Sequence, residues 1–281
     1  MPRSATVRRL LPALLLCLLA GAATLHAQIT VDGVLNEMEY STIATKANAN
    51  SGFGPDIDVS EIVYHPDNVA NVLHIGVVGR LNTGTGDGIG LFLDLSGVVG
   101  TAADTLLGDG TVGGFHFLNG DGGGSNLDFR SGFETDVLFA VRPINGTDAD
   151  LFIGDRVGAF SSAFVCQAMG LGTTSCTASG IDVDGDAVTG SITFAFNNAG
   201  GATNGLEMAI DYDAIGADPA QTLQLLALVV SETGFFSDVT VPGDVTGGNP
   251  GFNPNFSTLA GGPYGSMSQP LPVELTTFTI D

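Results

Sequence analysis

Three acidic side chains at alternating positions are the first residues whose type and spacing could do chemistry. Asp182, Asp184 and Asp186 lie in the segment IDVDGDAV, which has the composition of a turn. Carboxylate oxygens bind calcium, but an EF-hand needs a glycine after the third acid and a glutamate at its closing position, where this chain has Ala187 and Thr193. The segment therefore predicts either an ordinary acidic turn or a simple calcium site completed by backbone carbonyl groups.

The other acidic pairs offer little for catalysis. Glu134 with Asp136, and Asp211 with Asp213, are spaced so that a strand places both carboxylates on one face. Glycoside hydrolases use two carboxyl groups roughly 5–9 Å apart, although an acidic protein produces such pairs by chance. No His-Glu-x-x-His or Gly-x-Ser-x-Gly motif occurs, and Lys46 is the only lysine. We therefore expect no catalytic residues, with glycoside hydrolysis as the remaining enzymatic alternative.

Residues 1–27 have the features of a secretory signal. Three arginines lie between positions 3 and 9, an apolar core follows at residues 10–20, and small residues allow cleavage before Gln28. The alternatives are an uncleaved anchor, with an apolar core shorter than the ~20 residues that span a bilayer, and a lipoprotein, although Cys17 lies inside the apolar core. We expect a secreted protein, extracellular or at the cell surface, that does not insert into a membrane after cleavage.

The charge of the chain restricts its partners. Without the signal, five basic and 30 acidic side chains remain, a net charge of −25. Such a field repels nucleic acids and anionic lipid surfaces and attracts divalent cations. The acidic residues are scattered among glycines and apolar residues, so they do not form a disordered acidic tail.

Cysteine and histidine, the other residue types that bind metals, are predicted to have structural roles. Cys166 and Cys176 are an even pair in a secreted chain, which indicates a disulfide worth on the order of 2–3 kcal/mol. The CxxC spacing or neighbouring histidine of a redox or metal site is absent. His74 alternates into a strand face and His65 lies in a Tyr-His-Pro-Asp-Asn turn, and a structural role is also expected for His116.

Hydrophobic patterning predicts an all-β chain. Residues 86–97 (GDGIGLFLDLSG) are a short apolar run bounded by turn residues, typical of a strand buried on both faces. Residues 71–81 (NVLHIGVVGRL) alternate with a period of two, and we expect the two segments to pair antiparallel. Further strands are expected at residues 29–31, 114–118, 136–143 and 151–154, in a hairpin over 178–196, and at 221–231 paired with 205–210. They predict one jelly-roll-like, antiparallel two-sheet β-sandwich domain over residues 28–265, with long Gly/Asp-rich loops.

Several of these segments resemble one protein family. The segment ITVDGVLNEMEY at residues 29–40 is similar to the opening of DOMON-like β-sandwiches, whose best-known members, the family-nine carbohydrate-binding modules, have the form I-x-I-D-G-x-L-D-E-x-x-W. The resemblance continues through residues 71–81 and 86–97, then through GFETDVLFAV (132–141) and GLEMAIDYDAIG (205–216). It implies a β-sandwich that binds a glycan.

Aromatic residues bear on whether sugar binding follows from this resemblance. Such modules hold saccharides between aromatic rings, chiefly tryptophans, and this chain has none. Tyr40 stands at the tryptophan position of the motif, and we expect a core position with its hydroxyl at the surface. The Gly/Pro/Asn-rich tail is expected to wrap the sandwich, with Phe252 and Phe256 as apolar anchors. The alternative is an aromatic ligand-binding rim formed by Phe252, Phe256 and Tyr264.

The last residues, PLPVELTTFTID (270–281), resemble the Leu-Pro-Val-Glu-Leu-x-x-Phe junction that precedes the sorting domain of proteins exported by the type IX route. Residues 266–281 are thus expected to be a linker toward a missing sorting domain, because the sequence stops early or because the chain has lost that domain. The expected function is a non-catalytic bacterial module that binds glycan or another cell-surface polymer. The alternative is a structural or adhesive surface protein stabilised by calcium, and the oligomeric state is not predicted.

Overall fold

Strands and two short 3-10 helices form the regular structure that the computed structural model describes, in residues 28–100, 129, 132–157, 161–180, 190–218, 221–243, 245–252, 254–258 and 265–266. The chain divides into two compact units, Met1–Thr30 and Val31–Asp281, and the strands belong to the second. In chain order the strands are β1 (Ser41–Thr45), β2 (Asp58–Asp67), β3 (Val72–Arg80), β4 (Asp87–Leu95), β5 (Val137–Ile144), β6 (Asp148–Asp155), β7 (Ser161–Ala168), β8 (Cys176–Ser179), β9 (Ser191–Phe196), β10 (Gly205–Asp211), β11 (Leu223–Ser231), β12 (Phe236–Val241) and β13 (Gly265–Ser266). The 3-10 helices are Tyr212–Ile215 and Phe256–Thr258.

The strands form two antiparallel sheets. The order in the first sheet is β1-β2-β3-β10-β9-β8, and in the second it is β12-β11-β4-β5-β6-β7, with the short β13 beside β11. Inward-facing side chains of both sheets pack into one core, as the period of two requires. The predicted all-β fold with two antiparallel sheets is confirmed.

The core shows why the sequence pattern located the strands. Every residue of β4 is buried, as expected for the apolar run at residues 86–97. Ile192, Phe194 and Phe196 of β9 all face inward, and β9 pairs with β8 as in the predicted hairpin. The turn of that hairpin, at residues 181–189, lies outside the described residues.

Two predicted strand pairings are wrong. β3 pairs with β2 and β10 in the first sheet, whereas β4 pairs with β5 and β11 in the second, so these two strands contribute to the core from opposite sheets. Likewise β10 and β11 lie in different sheets. Alternation reports that a face is buried but not which strand lies beside it, and a strand that is apolar on both faces fits many neighbours.

The beginning of the chain also differs from its prediction. Residues 29–31 form no strand; the Asp32-Gly33 turn follows, with Gly33 at a φ of 75°, and Val34 makes only an isolated bridge to Asn204. Two alternating apolar residues are too few to hold a strand before such a turn. His65 lies inside β2 and not in a turn, because the turn begins only after Asp67.

Apolar residues also cover the outer faces of the sheets. On the first sheet, Leu35 packs against Val63 and Val78, and Gly76 leaves room for it, since a Cβ there would lie 2.2 Å from the Leu35 side chain. The outer face of the second sheet carries a larger aromatic layer, formed by Phe92, Phe129, Phe133, Leu138, Ala140, Leu226, Leu228, Val230, Phe236, Val245 and Phe256.

The disulfide between Cys166 and Cys176 is present, as predicted. It joins β7 to β8, which are the edge strands of different sheets. One side of the two-layered structure is therefore closed by a covalent bond.

Candidate functional site

Glu207 contacts both ends of the segment at residues 32–40, which lies before β1. Its side chain is completely buried (0% exposed) on the outer face of β10, at the register position of Gly76. One carboxylate oxygen accepts hydrogen bonds from the backbone N–H groups of Asp32 (2.9 Å) and Gly33 (2.8 Å), and the other accepts one from the Tyr40 hydroxyl (2.6 Å). These bonds fasten the segment before β1 to the first sheet.

The arrangement around Glu207 is structural. Burial raises the pKa of Glu207 to about 6, and burial together with the Glu207 carboxylate raises the pKa of the Tyr40 hydroxyl. Tyr40 was expected to place its hydroxyl at the surface, but the hydroxyl points to this buried carboxylate because the acid needs a donor there. Sequence spacing could not reveal the contact, since the two residues are 167 positions apart.

The pair Asp211 and Asp213 does not face one cleft. Asp211 accepts hydrogen bonds from the backbone N–H (2.6 Å) and the hydroxyl (2.8 Å) of Ser191, which holds the start of β9. Asp213 lies in the first turn of the 3-10 helix at Tyr212–Ile215 and is exposed.

The second predicted pair contains a buried acid. Asp136 accepts a hydrogen bond from the backbone N–H of Leu95 (2.6 Å) with one oxygen, while its other oxygen has no hydrogen-bond partner. Burial, with repulsion from Asp94 and Glu134, raises the pKa of Asp136 to about 7. Asp94 accepts a hydrogen bond from the backbone N–H of Glu134 (3.2 Å), and burial raises its pKa to about 6. These carboxyl groups bind the segment before β5 to β4.

The predicted calcium ligands Asp182, Asp184 and Asp186 lie outside the described residues. Within the part of the chain that the structure describes, no group of three or more His, Cys, Asp or Glu side chains is placed to hold a metal ion.

The aromatic residues predicted in the tail, Phe252 and Phe256, lie in different environments. Phe256 is 1% exposed and packs edge-on against Phe236 in the aromatic layer of the second sheet, so it is an apolar anchor. Phe252 is 44% exposed and contacts Phe235 edge-on, with ring centroids 5.1 Å apart. Tyr264 lies outside the described residues. Phe252 and Phe256 therefore do not form one rim.

A second group of aromatic and polar residues lies on the outer face of β5, β6 and β7, where Phe164 is exposed, Arg142, Phe152 and Gln167 are half-buried, and Asp150 is buried. Cross-strand register places Arg142, Asp150 and Gln167 in one row, and Phe152 and Phe164 in the next. We call these five residues the β5–β7 surface. Phe164 is 53% exposed, and its ring meets that of Phe152 edge-on at 5.4 Å.

The polar row of the β5–β7 surface is an interconnected set of donors and acceptors. The Asp150 carboxylate accepts a hydrogen bond from the Gln167 amide (2.9 Å) and faces the Arg142 guanidinium at 3.4 Å. The guanidinium lies over the Phe152 ring, 5.3 Å from its centroid, while its Nε has no hydrogen-bond partner. Charged and aromatic groups are thus held in fixed positions on a strand scaffold.

Sequence reasoning missed the β5–β7 surface because it did not predict β7. A β-bulge between the pairs Leu151–Cys166 and Phe152–Phe164 breaks the period of two in that strand. Alternation within the predicted strands at 136–143 and 151–154 was the available signal, since it places Arg142 and Phe152 on the face opposite the core.

A polar cleft of about 220 Å³ lies where β2 begins and β3 ends. Asp58, Ser60 and Arg80 are among the residues that line it. Its charged groups are already paired: Asp58 with Lys46 at 2.6 Å, and Arg80 with Asp56 at 2.9 Å. The β5–β7 surface is the better candidate because it has an exposed ring beside its polar groups.

No protein-family model, curated protein or solved structure matches this chain. Across the described ranges, no helix combines the length and apolar character needed to cross a membrane. The function therefore has to be inferred from the residues of this chain.

Proposed function

We propose that this protein is a secreted, non-catalytic binding module and that its β5–β7 surface binds a glycan. The observation that carries the proposal is the exposed Phe164 ring beside a row of hydrogen-bonding side chains on one rigid sheet face. The predicted signal at residues 1–27 and the Cys166–Cys176 disulfide support a location outside the cell, where disulfides persist.

Sugar rings fit such a surface for two reasons. A pyranose has an apolar face of C–H groups that packs on an aromatic ring, here Phe164 with Phe152 behind it. Its hydroxyl groups both donate and accept hydrogen bonds, and the half-buried Gln167 and Arg142 side chains lie one row away, held in place by the buried Asp150 carboxylate. Side chains locked by their neighbours lose little conformational freedom on binding.

The charge of the surface favours an uncharged glycan. The Arg142 guanidinium is offset by Asp150, so the polar row has no excess positive charge for a carboxylate or sulfate group. The net charge of −25 elsewhere in the exported chain repels acidic polymers.

Binding is preferred over hydrolysis because of how the acidic pairs are used. Asp211 and Asp136 both accept backbone hydrogen bonds that hold strands in place. Asp136 is also completely buried, so a glycan cannot reach its carboxyl group, and Asp213, the sequence partner of Asp211, is exposed on the following 3-10 helix. Neither pair therefore places two accessible carboxyl groups across a glycosidic bond.

The test compares two exposed phenylalanines. Glycan-array screening of the full chain should identify neutral oligosaccharide ligands, and calorimetry should show that Phe164→Ala abolishes their binding. Phe252→Ala is the matched control, because Phe252 has similar exposure but lies outside the β5–β7 surface. Equal binding by Phe164→Ala and the wild type, or no glycan ligand at all, would overturn the proposal, as would hydrolysis of a bound oligosaccharide.

A further inference from the structure

Two histidines face each other across neighbouring strands of the first sheet. His65 of β2 and His74 of β3 are direct register partners, and their ring centroids are 6.0 Å apart with an interplanar angle of 42°. Both lie on the outer face, because the residues that alternate with them, Ile62 and Ile75, belong to the core between the sheets.

Neither imidazole is used in the hydrogen bonding of the described residues. His74 is only 8% exposed, and its buried Nδ1 has no partner. Buried polar atoms of folded proteins nearly always have a hydrogen-bond partner, so a buried and unpaired Nδ1 beside a second imidazole is unusual. Packing alone does not explain a histidine at position 74, because burying an apolar side chain there would cost less free energy than burying an unpaired imidazole.

We propose that His65 and His74 together bind one divalent transition-metal ion of the zinc, nickel and copper class. Imidazole nitrogens are preferred ligands of these ions, with metal–nitrogen distances of about 2.0–2.1 Å. Two imidazoles that share such an ion have ring centroids roughly 5–6.5 Å apart, given those bond lengths and a tetrahedral to linear N–metal–N angle. The observed 6.0 Å falls within this range.

The surroundings of the pair favour a cation. Asp67 follows His65 by two positions on β2, so its carboxylate lies on the same face, and one of its oxygens accepts hydrogen bonds from the backbone N–H groups of Val69 and Ala70. The described residues place no third His, Cys, Asp or Glu ligand with the pair, so the two histidines hold the ion and water completes its coordination. Hard cations such as calcium prefer oxygen ligands and are not expected there.

Metal titration of the full chain, purified without a polyhistidine tag, tests this proposal. Calorimetry with zinc, and separately with nickel, should show one ion bound per chain, and the melting temperature should rise with metal concentration. His65→Gln should weaken binding by ~10-fold or more, because a single imidazole loses the effective concentration of the second ligand. Calcium and magnesium should leave the melting temperature unchanged.

The control uses the third histidine of the exported chain. His116→Ala removes one imidazole and leaves both His65 and His74 in place, so it should bind the metal with wild-type affinity. Proton NMR of the wild type should show that the ring signals of His65 and His74 respond first, a readout that does not depend on a variant folding. Unchanged affinity in His65→Gln, an equal loss in His116→Ala, or ring signals that do not respond would each overturn the proposal.

Discussion

At the residue scale, the Glu207 carboxylate is the most consequential polar group described. Glu207→Ala removes the carboxylate that accepts three hydrogen bonds. The backbone N–H groups of Asp32 and Gly33 and the Tyr40 hydroxyl then lose their acceptor. Each buried donor left unsatisfied costs ~1–3 kcal/mol, so the free energy of unfolding should fall by at least about 3 kcal/mol. Tyr40→Phe removes one donor only and should cost about 1 kcal/mol. Urea unfolding followed by circular dichroism measures both changes.

Tyr64→Phe is the matched control for Tyr40→Phe. Tyr64 is also half-buried, but its hydroxyl makes no hydrogen bond among the described residues, so its removal should change stability by less than about 0.5 kcal/mol. Equal effects of the two substitutions would show that the contact between Tyr40 and Glu207 contributes nothing.

The pKa of Glu207 also predicts a dependence of stability on pH. Burial raises this pKa from 4.5 to about 6, so the folded protein binds more protons at Glu207 than the unfolded chain does between these values. The contribution of Glu207 to the free energy of unfolding therefore decreases as the pH rises from 4.5 to about 6, by about 2 kcal/mol at most. Glu207→Gln should remove this decrease. The measurement is the difference in unfolding free energy between wild type and variant at pH 4 and pH 7; a constant difference would contradict the prediction.

Residue spacing alone predicted little of the candidate site. Arg142 and Phe152 fall within predicted strands, where alternation assigns them to the outer face, but Phe164 and Gln167 belong to the missed β7. The contacts that matter join residues distant in sequence, such as Gln167 with Asp150 in a neighbouring strand and Glu207 with Tyr40. Pairing of strands must be known before such contacts can be inferred.

At the scale of elements, the Cys166–Cys176 disulfide joins the edge strands β7 and β8 of different sheets. Reduction frees that side of the structure and returns loop entropy to the unfolded chain, which should cost on the order of 2–3 kcal/mol for this loop length. The expected result is a lower melting temperature with dithiothreitol. Cys166→Ala/Cys176→Ala should melt at the temperature of the reduced wild type and be insensitive to dithiothreitol; sensitivity of the double variant would contradict the prediction.

The sequence predicted the positions of strands correctly where their apolar or alternating pattern was uninterrupted. β3, β4, β9 and β11 correspond to apolar or alternating runs, and their positions were correct. β2 was missed because a register shift between Val59 and Glu61 breaks its alternation. The pairing of β3 with β4 was predicted wrongly for a different reason. The loop between these strands crosses from one sheet to the other, and the sequence of a short loop does not indicate which sheet the next strand joins.

At the scale of the whole molecule, the tail is part of the fold because Phe256 closes the aromatic layer outside the second sheet. Its ring packs against Phe236 and stacks on Phe129 at 6.2 Å. Phe256→Ala should therefore lower the free energy of unfolding by ~3–5 kcal/mol, as expected for a buried phenylalanine. The exposed Phe252 provides the comparison from the same tail, and Phe252→Ala should cost less than about 1 kcal/mol.

The unfolding curve distinguishes a tail that is integral to the fold from one that only lies on it. If the aromatic layer is integral, Phe256→Ala shifts the single cooperative transition of the whole protein and leaves its denaturant slope unchanged. A tail that detaches on its own would instead give a separate early transition, with the main transition at the wild-type position. We expect the first result, because residues of β4, β5, β11 and β12 share the layer with Phe256, so that its loss weakens the second sheet across most of its strands.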